Sequence, residues 1–370
     1  MKTLTKEILA TWANDPNGPV ALHLKQKLTS VECITDDDRC IIYPPTYADV
    51  GYNIDTLSDG KKVALTDSVG SQANRMEPIF KSTSKDRKDW LVPQIQIALG
   101  KDKDATKLSL LDLAHRGADA VVQSSGPLAK ILKEAFTELR KSGDASLLCA
   151  IAPTSLVFGV WDSRGSSEKR PRLVRSVIRA WDVEVLHTAA QFTSVWKELD
   201  EAQRKVLQDE AKKQGKKLSV KGLADAPAVF YPKSDRRVLG GVLVNGGIER
   251  SVTINLVALR GLHGSNDDES KALRTYLLSL ALIAATGDME MFLREGCHLR
   301  CTGEDHWHVV PRRGKPEEVS LDAAVFNAAA KTGAGHFRSK WPEVTDHTFD
   351  VAEAKKLLAA KEEDDQPEGK

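Results

Sequence analysis

The sequence predicts an α+β fold, and three observations carry it. Segments that alternate apolar and polar residues recur along the chain. Two substantial apolar-faced helices separate them, and long polar insertions interrupt the pattern. The strict β-α-β alternation of a doubly wound parallel sheet is missing, as is any internal repeat. A chain of 370 residues can bury a large core. Residues 1–350 read as a single elaborated domain with insertions around 80–125 and 190–235, and residues 351–370 as a charged, disordered tail.

In order along the chain, Thr3 to Trp12 suggests a short amphipathic helix that Asn14-Asp-Pro-Asn-Gly18 ends as a turn. Val20 to Val31 alternates and reads as a first strand, and Cys40 to Tyr43 as another. Trp90 to Leu99 also alternates, its Pro93 suited to an edge or bulge. Residues 127–140 place Leu128, Ile131, Leu132, Ala135, Phe136 and Leu139 on one helical face. Leu147 to Trp161 is an apolar run broken by a proline. Residues 194–217 are helical and heavily charged, a composition that projects into solvent or meets a partner. Val238 to Leu259 reads as a strand pair closed by Asn245-Gly246-Gly247 as a hairpin. Glu269 to Thr286 is the most hydrophobic helix and the expected core element. Short strands near His298 to Thr302 and His306 to Val310 follow, and a frayed helix starts at Ala352.

The charge balance of 53 basic against 52 acidic residues, a formal +1, does not resemble a nucleic-acid binder. The average hides a local stripe: Arg164, Lys169, Arg170, Arg172, Arg175 and Arg179 face a single acid, Glu168, over sixteen positions. A polyanion responds to such a stripe more than to the whole-chain sum. The five cysteines are odd in number, Met1 to Glu7 is polar, and the apolar run Tyr276 to Ala285 is about half a membrane span. A cytoplasmic protein with reduced thiols and no membrane contact is expected.

Walker loops, His-Glu-x-x-His, Gly-x-Ser-x-Gly and a dinucleotide glycine loop are all missing from the sequence. Cys297, His298, Cys301, His306 and His308 could ligate zinc by type. Their spacing places them on two strands of one hairpin where not all converge, so no metal or cofactor is expected. Gly246-Gly247 reads as turn geometry, whereas Gly240-Gly241 could let a backbone approach closely.

Asp67-Ser-Val-Gly-Ser-Gln-Ala-Asn-Arg-Met-Glu-Pro-Ile-Phe80 is the most informative segment. Ser71, Gln72 and Asn74 both donate and accept hydrogen bonds, and Arg75 offers a planar fork for phosphate. The register also starts a helix, with Ser68 or Ser71 as cap and Val69, Ala73, Met76 and Phe80 on one side. An arginine on the open face of a helix N-terminus makes an anion site; a capped amphipathic helix with solvated polar residues fits the pattern equally. His115-Arg116-x-x-Asp119 reads as an acid–base group or as a structural ion pair. Trp161 to Arg172 reads as a flexible Gly/Ser-rich loop whose cations reach phosphates, or as a solvated basic loop.

The Asp67–Phe80 segment resembles the signature of the CRISPR-associated backbone subunit of type I-G (formerly I-U) Cascade complexes, in the Cas-seven branch of the RNA-binding RAMP superfamily. Further segments match in the same order: Tyr43-Pro44-Pro45-Thr46-Tyr47, His115-Arg116-Gly-Ala-Asp119-Ala120, Pro153 to Ser163 with Arg170 and Arg172 behind it, and Gly240-Gly241-Val-Leu-Val-Asn245. They span about Pro44 to Leu282.

The resemblance implies an RNA-recognition-motif-like (ferredoxin-like) core with large insertions, a thumb hairpin and helical additions. The aromatic signature of ordinary single-strand readers is missing, so stacking on sheet aromatics is not expected. It also implies a non-catalytic subunit stacking in several copies along a CRISPR guide RNA, beside other Cascade subunits, presenting bases to a target DNA strand. A thumb would splay a nucleotide periodically, and a separate helicase-nuclease would be recruited later. Guide contact is expected from Ser71, Gln72, Asn74, Arg75, His115, Arg116, Arg164, Lys169, Arg170 and Arg172. The alternatives are a ribonuclease subunit cutting target RNA with Asp67 or Asp162, and a protein-only scaffold.

Overall fold

A computed structural model describes residues 2–35, 38–100, 102, 104–163, 165–187, 191–192, 195–224, 226–227 and 239–359. The main sheet is built on strands β1 (Ala21–Ser30), β2 (Lys62–Asp67), β3 (Val174–Trp181), β4 (Ile248–Asn255), β5 (Cys297–Cys301) and β6 (Trp307–Val310). The helices that matter for the site are α1 (Lys6–Asn14), α2 (Val69–Met76), α3 (Gly126–Ser142), α4 (Asp267–Thr286) and α5 (Ala323–Phe337). The fold is thus mixed α+β, as expected.

Across the sheet, β1 lies beside β4, β4 beside β3, and β3 beside β2, each pair antiparallel. The other edge of β1 pairs with two short strands end to end: Ala21 to Leu24 with β6, and Leu28 to Ser30 with β5. Leaving aside β2, whose outer side pairs with Ile54–Thr56, the order is fourth, first, third, second in the chain sense. The period of two explains why these segments are strands. Leu22, Leu24 and Leu28 of β1, Val174, Ile178 and Ala180 of β3, and Ile248, Val252 and Ile254 of β4 all turn to the same buried side.

Two cores share that side. The larger joins Leu22, Leu24, Val174, Val252 and Ile254 to the helices, with α4 at its centre. Asn266 caps α4, three acids occupy its first turn, and apolar side chains bury most of its length. Gly333 of α5 lets that helix close on α4: a Cβ there would sit 2.5 Å from the Tyr276 Cβ. The Tyr276 and Phe337 rings then stack 5.7 Å apart. The smaller core packs Leu28, Ile178, Ala180 and Ile248 against a second sheet made of Cys40–Ile42, Val183–His187 and Leu239–Val244.

Several elements differ from the sequence reading. Leu239–Val244 and β4 do not pair with each other. Instead, Val183–His187 continues β3 and Leu239–Val244 precedes β4, so one long ribbon bends from the main sheet into the second at Asp182 and at residues 245–247. Gly246 is required at that corner, since its Cβ would lie 2.8 Å from the Trp181 carbonyl oxygen, and Gly247 holds φ +87°. The glycine signal for a tight hairpin was in fact a corner between two sheets. β5 and β6 likewise do not form a hairpin together; each pairs with its own outer neighbour, Phe292–Arg294 and Glu317–Ser320 respectively. The run Leu147 to Trp161 forms two short buried helices, Ser146–Ile151 and Pro153–Phe158, before Val160–Trp161. Only Gln96–Ala98 of the Trp90 to Leu99 segment is strand.

The charged segment contains the helix Glu201–Lys213, which starts at an Asp200 capping box and buries no side chain. Much of the 190–235 insertion lies outside the described residues. So do residues 360–370 of the expected tail, whose first part is the helix Val351–Ala359. No helix among the described residues is long and apolar enough to cross a membrane.

Candidate nucleic-acid interface

α2 begins where the sequence placed it, with the Ser68 hydroxyl accepting from the Ser71 amide. Its apolar side, Ala73 and Met76, packs inward and continues to Phe80. The polar residues divide. Gln72 has no exposed surface: its amide donates to Asp67 Oδ2 at 2.7 Å and accepts from the Ser176 hydroxyl at 2.7 Å and Arg250 Nε at 3.2 Å. Its donors and acceptor are spent on the interior, where they satisfy buried polar groups. Asn74 is exposed and Ser71 half-buried.

Arg75 sits in the last turn of α2, away from the helix N-terminus, so the anion site expected there does not assemble around it. Its guanidinium turns back to Asp67 Oδ2 at 3.2 Å and to the carbonyls of Leu293 at 2.8 Å and Phe292 at 3.4 Å. Asp67, 1% exposed, also lies 3.6 Å from Arg294 Nη2. Two cations and an amide therefore converge on one buried carboxylate. Arg75 keeps about a quarter of its side chain in solvent, 28% by area.

Arg116 is interior as well. Its Nε sits 2.7 Å from Glu77 Oε2, both side chains 3% exposed or less. Its other nitrogens donate to the carbonyls of Ala114 and Gly159 and to Asn74 Oδ1, and its plane covers the Phe158 ring at 5.2 Å. Burial pushes the Glu77 carboxyl up to about 7, against the pull of the Arg116 cation and the Thr154 hydroxyl. Arg116 also holds φ +52°, a left-handed conformation that a bulky residue adopts only where its surroundings impose it. Through these contacts one side chain ties together three segments that the sequence singled out separately: 67–80, 115–119 and 153–172. Asp119 forms no ion pair with its neighbours; its carboxylate accepts from the His115 and Val121 amides and starts the short helix Ala120–Gln123.

The exposed cations come from the third segment and its neighbours. Val160–Trp161 pairs with Lys169–Arg170 as a small hairpin. The described part of its turn closes on a buried carboxylate. Asp162, 3% exposed, accepts from the Ser166 amide at 2.6 Å, the Ser166 hydroxyl at 2.8 Å and Gln123 Nε2 at 2.9 Å. A Cβ on Gly165 would fall 2.5 Å from Asp162 Oδ2. Lys169 is exposed, with its ammonium 5.2 Å from the ring centre of the half-exposed Trp161. Arg170 pairs with Glu168 at 2.7 Å, and Arg172 is exposed with no carboxylate in ion-pair range among the described residues. Arg164 lies outside the described residues. His115 is exposed beside Arg116.

The sequence reading thus found the segments but not their division of labour. Asn74, His115, Lys169 and Arg172 face solvent, Arg75 and Arg170 do so in part, and Gln72 and Arg116 build the framework. Glu77, Arg250 and Arg294 were missed. For Glu77 the only sequence signal was a carboxylate two residues after Arg75; Arg250 and Arg294 had none, since the fold brings them from far along the chain. Among the described residues no group of three or more His, Cys, Asp or Glu side chains could hold a metal ion.

Residues 24–185 match the family model described as CRISPR-associated protein GSU0053 (Cas_GSU0053). That span contains all three segments gathered by Arg116 and ends just beyond β3. No curated protein matches the chain. The family match supports a CRISPR-associated protein, with a role in CRISPR defence.

Proposed function

Taking a CRISPR-associated protein as the premise, we propose that the chain is a non-catalytic, guide-RNA-binding backbone subunit of a type I-G Cascade effector. Several copies would oligomerise along the CRISPR guide RNA beside other Cascade subunits. The observation that carries this reading is the convergence of three segments on the Glu77–Arg116 pair, which leaves Asn74, His115, Lys169 and Arg172 exposed on one rigid framework. Exposed cations and amides on fixed elements hold a phosphate backbone and leave its bases free to pair with target DNA. The strand order fourth-first-third-second supports a ferredoxin-like core. The ribbon leaving the main sheet at Asp182 supports a thumb built on the 183–244 insertion.

The binding reading is favoured over a target-cutting ribonuclease by the state of the two candidate aspartates. Asp67 and Asp162 are both buried and accept hydrogen bonds from side chains of their own fold. Neither presents a free carboxylate to a strand.

The test is purification from cells expressing a cognate repeat–spacer array with the partner subunits. The expected result is a discrete repeat–spacer RNA on the wild-type chain, much reduced on the Lys169→Ala/Arg172→Ala variant. RNA-free wild-type protein at low salt, or periodic cleavage of complementary RNA with Mg²⁺, would overturn it.

A further inference from the structure

The side of the main sheet turned away from both cores carries a pattern that the family segments do not include. The register fixes which side chains share it. In one row lie His23, Thr253 and Arg175; in the next Lys25, Ser251 and Val177; in the third Lys27, Glu249 and Arg179. Arg300 of β5 stands opposite Thr29 on the same face, and His308 of β6 extends the first row to Glu318. Lys25, Lys27, Arg175 and Arg300 are exposed and Arg179 is half-buried, while Val177 is the buried member of the three central rows.

Five permanent cations therefore share this face with three carboxylates, Glu249 and Glu318 among the rows and Asp55 at the far edge beyond Trp181 and Val63, although the whole chain carries only +1. Glu249 neutralises little: its contact with Lys25 is 3.7 Å long and half in water. Glu318 is taken up by His306 at 2.6 Å. Burial, and after it the neighbouring Lys25, push the His23 imidazole below its ordinary value. Ser251 and Thr253 add hydroxyl donors between the cations. Val177 is the one apolar side chain in the three rows, too little for the cluster of aromatic or aliphatic anchors on which a protein interface depends.

We propose that this open sheet face is a second nucleic-acid surface, which holds a phosphate backbone through Lys25, Lys27, Arg175 and Arg300 independently of the Lys169–Arg172 hairpin. Charge complementarity identifies the occupant as a polyanion, and contact through lysine, arginine and hydroxyl donors to phosphate makes its binding independent of sequence; the ring on this face of β3, Trp181, lies beyond Arg179, outside the three cation rows.

The experiment titrates the full chain with a fluorescein-labelled thymidine homopolymer over a range of salt concentrations. Each single-strand phosphate contact contributes about 0.7 to the slope of log K against log salt. Lys25→Ala/Lys27→Ala/Arg175→Ala should lower that slope by about 2 while the circular dichroism spectrum is retained. The charge-preserving Lys25→Arg/Lys27→Arg/Arg175→Lys variant should keep the wild-type slope. An unchanged slope in the alanine triple, an equal loss in the charge-preserving triple, or complete loss of binding in Lys169→Ala/Arg172→Ala alone would overturn the proposal. A hairpin variant that merely weakens binding supports two surfaces. If the hairpin variant binds as wild type while the alanine triple does not, this face stands and the guide site must lie elsewhere.

Discussion

The Gln72–Arg116 framework and the Trp161–Arg172 hairpin contain the same residue types and answer to opposite constraints. In the framework, an amide and three guanidinium groups surround the buried carboxylates Asp67 and Glu77, so each polar atom offsets the burial of another. In the hairpin, the buried carboxylate Asp162 is satisfied by Ser166 and by the Gln123 side-chain amide, so Lys169 and Arg172 have no carboxylate partner among the described residues. Arginine and glutamine suit a phosphate and a buried carboxylate equally well. Burial, not residue type, decides which they meet.

The contrast breaks most sharply at Arg116. Arg116→Met removes the cation facing Glu77 and should cost about 3–5 kcal/mol, read as a fall in the denaturant midpoint. A loss within 0.5 kcal/mol would make Arg116 a surface residue in all but position. Gln72→Leu comes next: it strands Asp67, Ser176 and Arg250, and should cost about 1–3 kcal/mol with nucleic-acid affinity following stability alone.

A pH titration sharpens the framework side. Burial raises Glu77 from its ordinary 4.5 to about 7. A carboxyl raised on folding contributes stability that is complete below about 4.5 and lost as pH climbs through about 7. Glu77→Gln should flatten the stability profile across that window; a wild-type profile already flat there would place the carboxyl in a far wetter setting. On the hairpin side, Lys169→Ala/Arg172→Ala should change stability by less than about 0.5 kcal/mol. It should still lower the single-strand salt slope by about 1.4. A stability loss comparable to that of Gln72→Leu would erase the distinction.

Much of the fold was legible because its periodicities are strong. The α4 run from Glu269 and the face Leu128, Leu132, Ala135, Phe136 and Leu139 bury as their 3.6-residue spacing indicates. β1 buries every second residue. Asn245-Gly246-Gly247 misled because a tight turn and a sheet-to-sheet corner both demand glycine at positive φ, and only the pairing partners, Val183–His187 on one side and Ala21–Ser30 on the other, separate them.

By itself the sequence determined the main helices and the first strand, the capped start of α2 at Ser68, and the three segments whose residues suit a polyanion. Those are local properties, set by side chains within a few positions of one another. Only the tertiary structure decided that Gln72 and Arg116 turn inward, that Arg250 and Arg294 complete their surroundings, and that Lys25, Lys27 and Arg175 align on one open face. Each of these depends on strand register or on partners distant in sequence, from Asn74 and Gly159, 42 and 43 residues from Arg116, to Arg250, 178 residues from Gln72, where the free energy of desolvation is settled by what lies opposite in space.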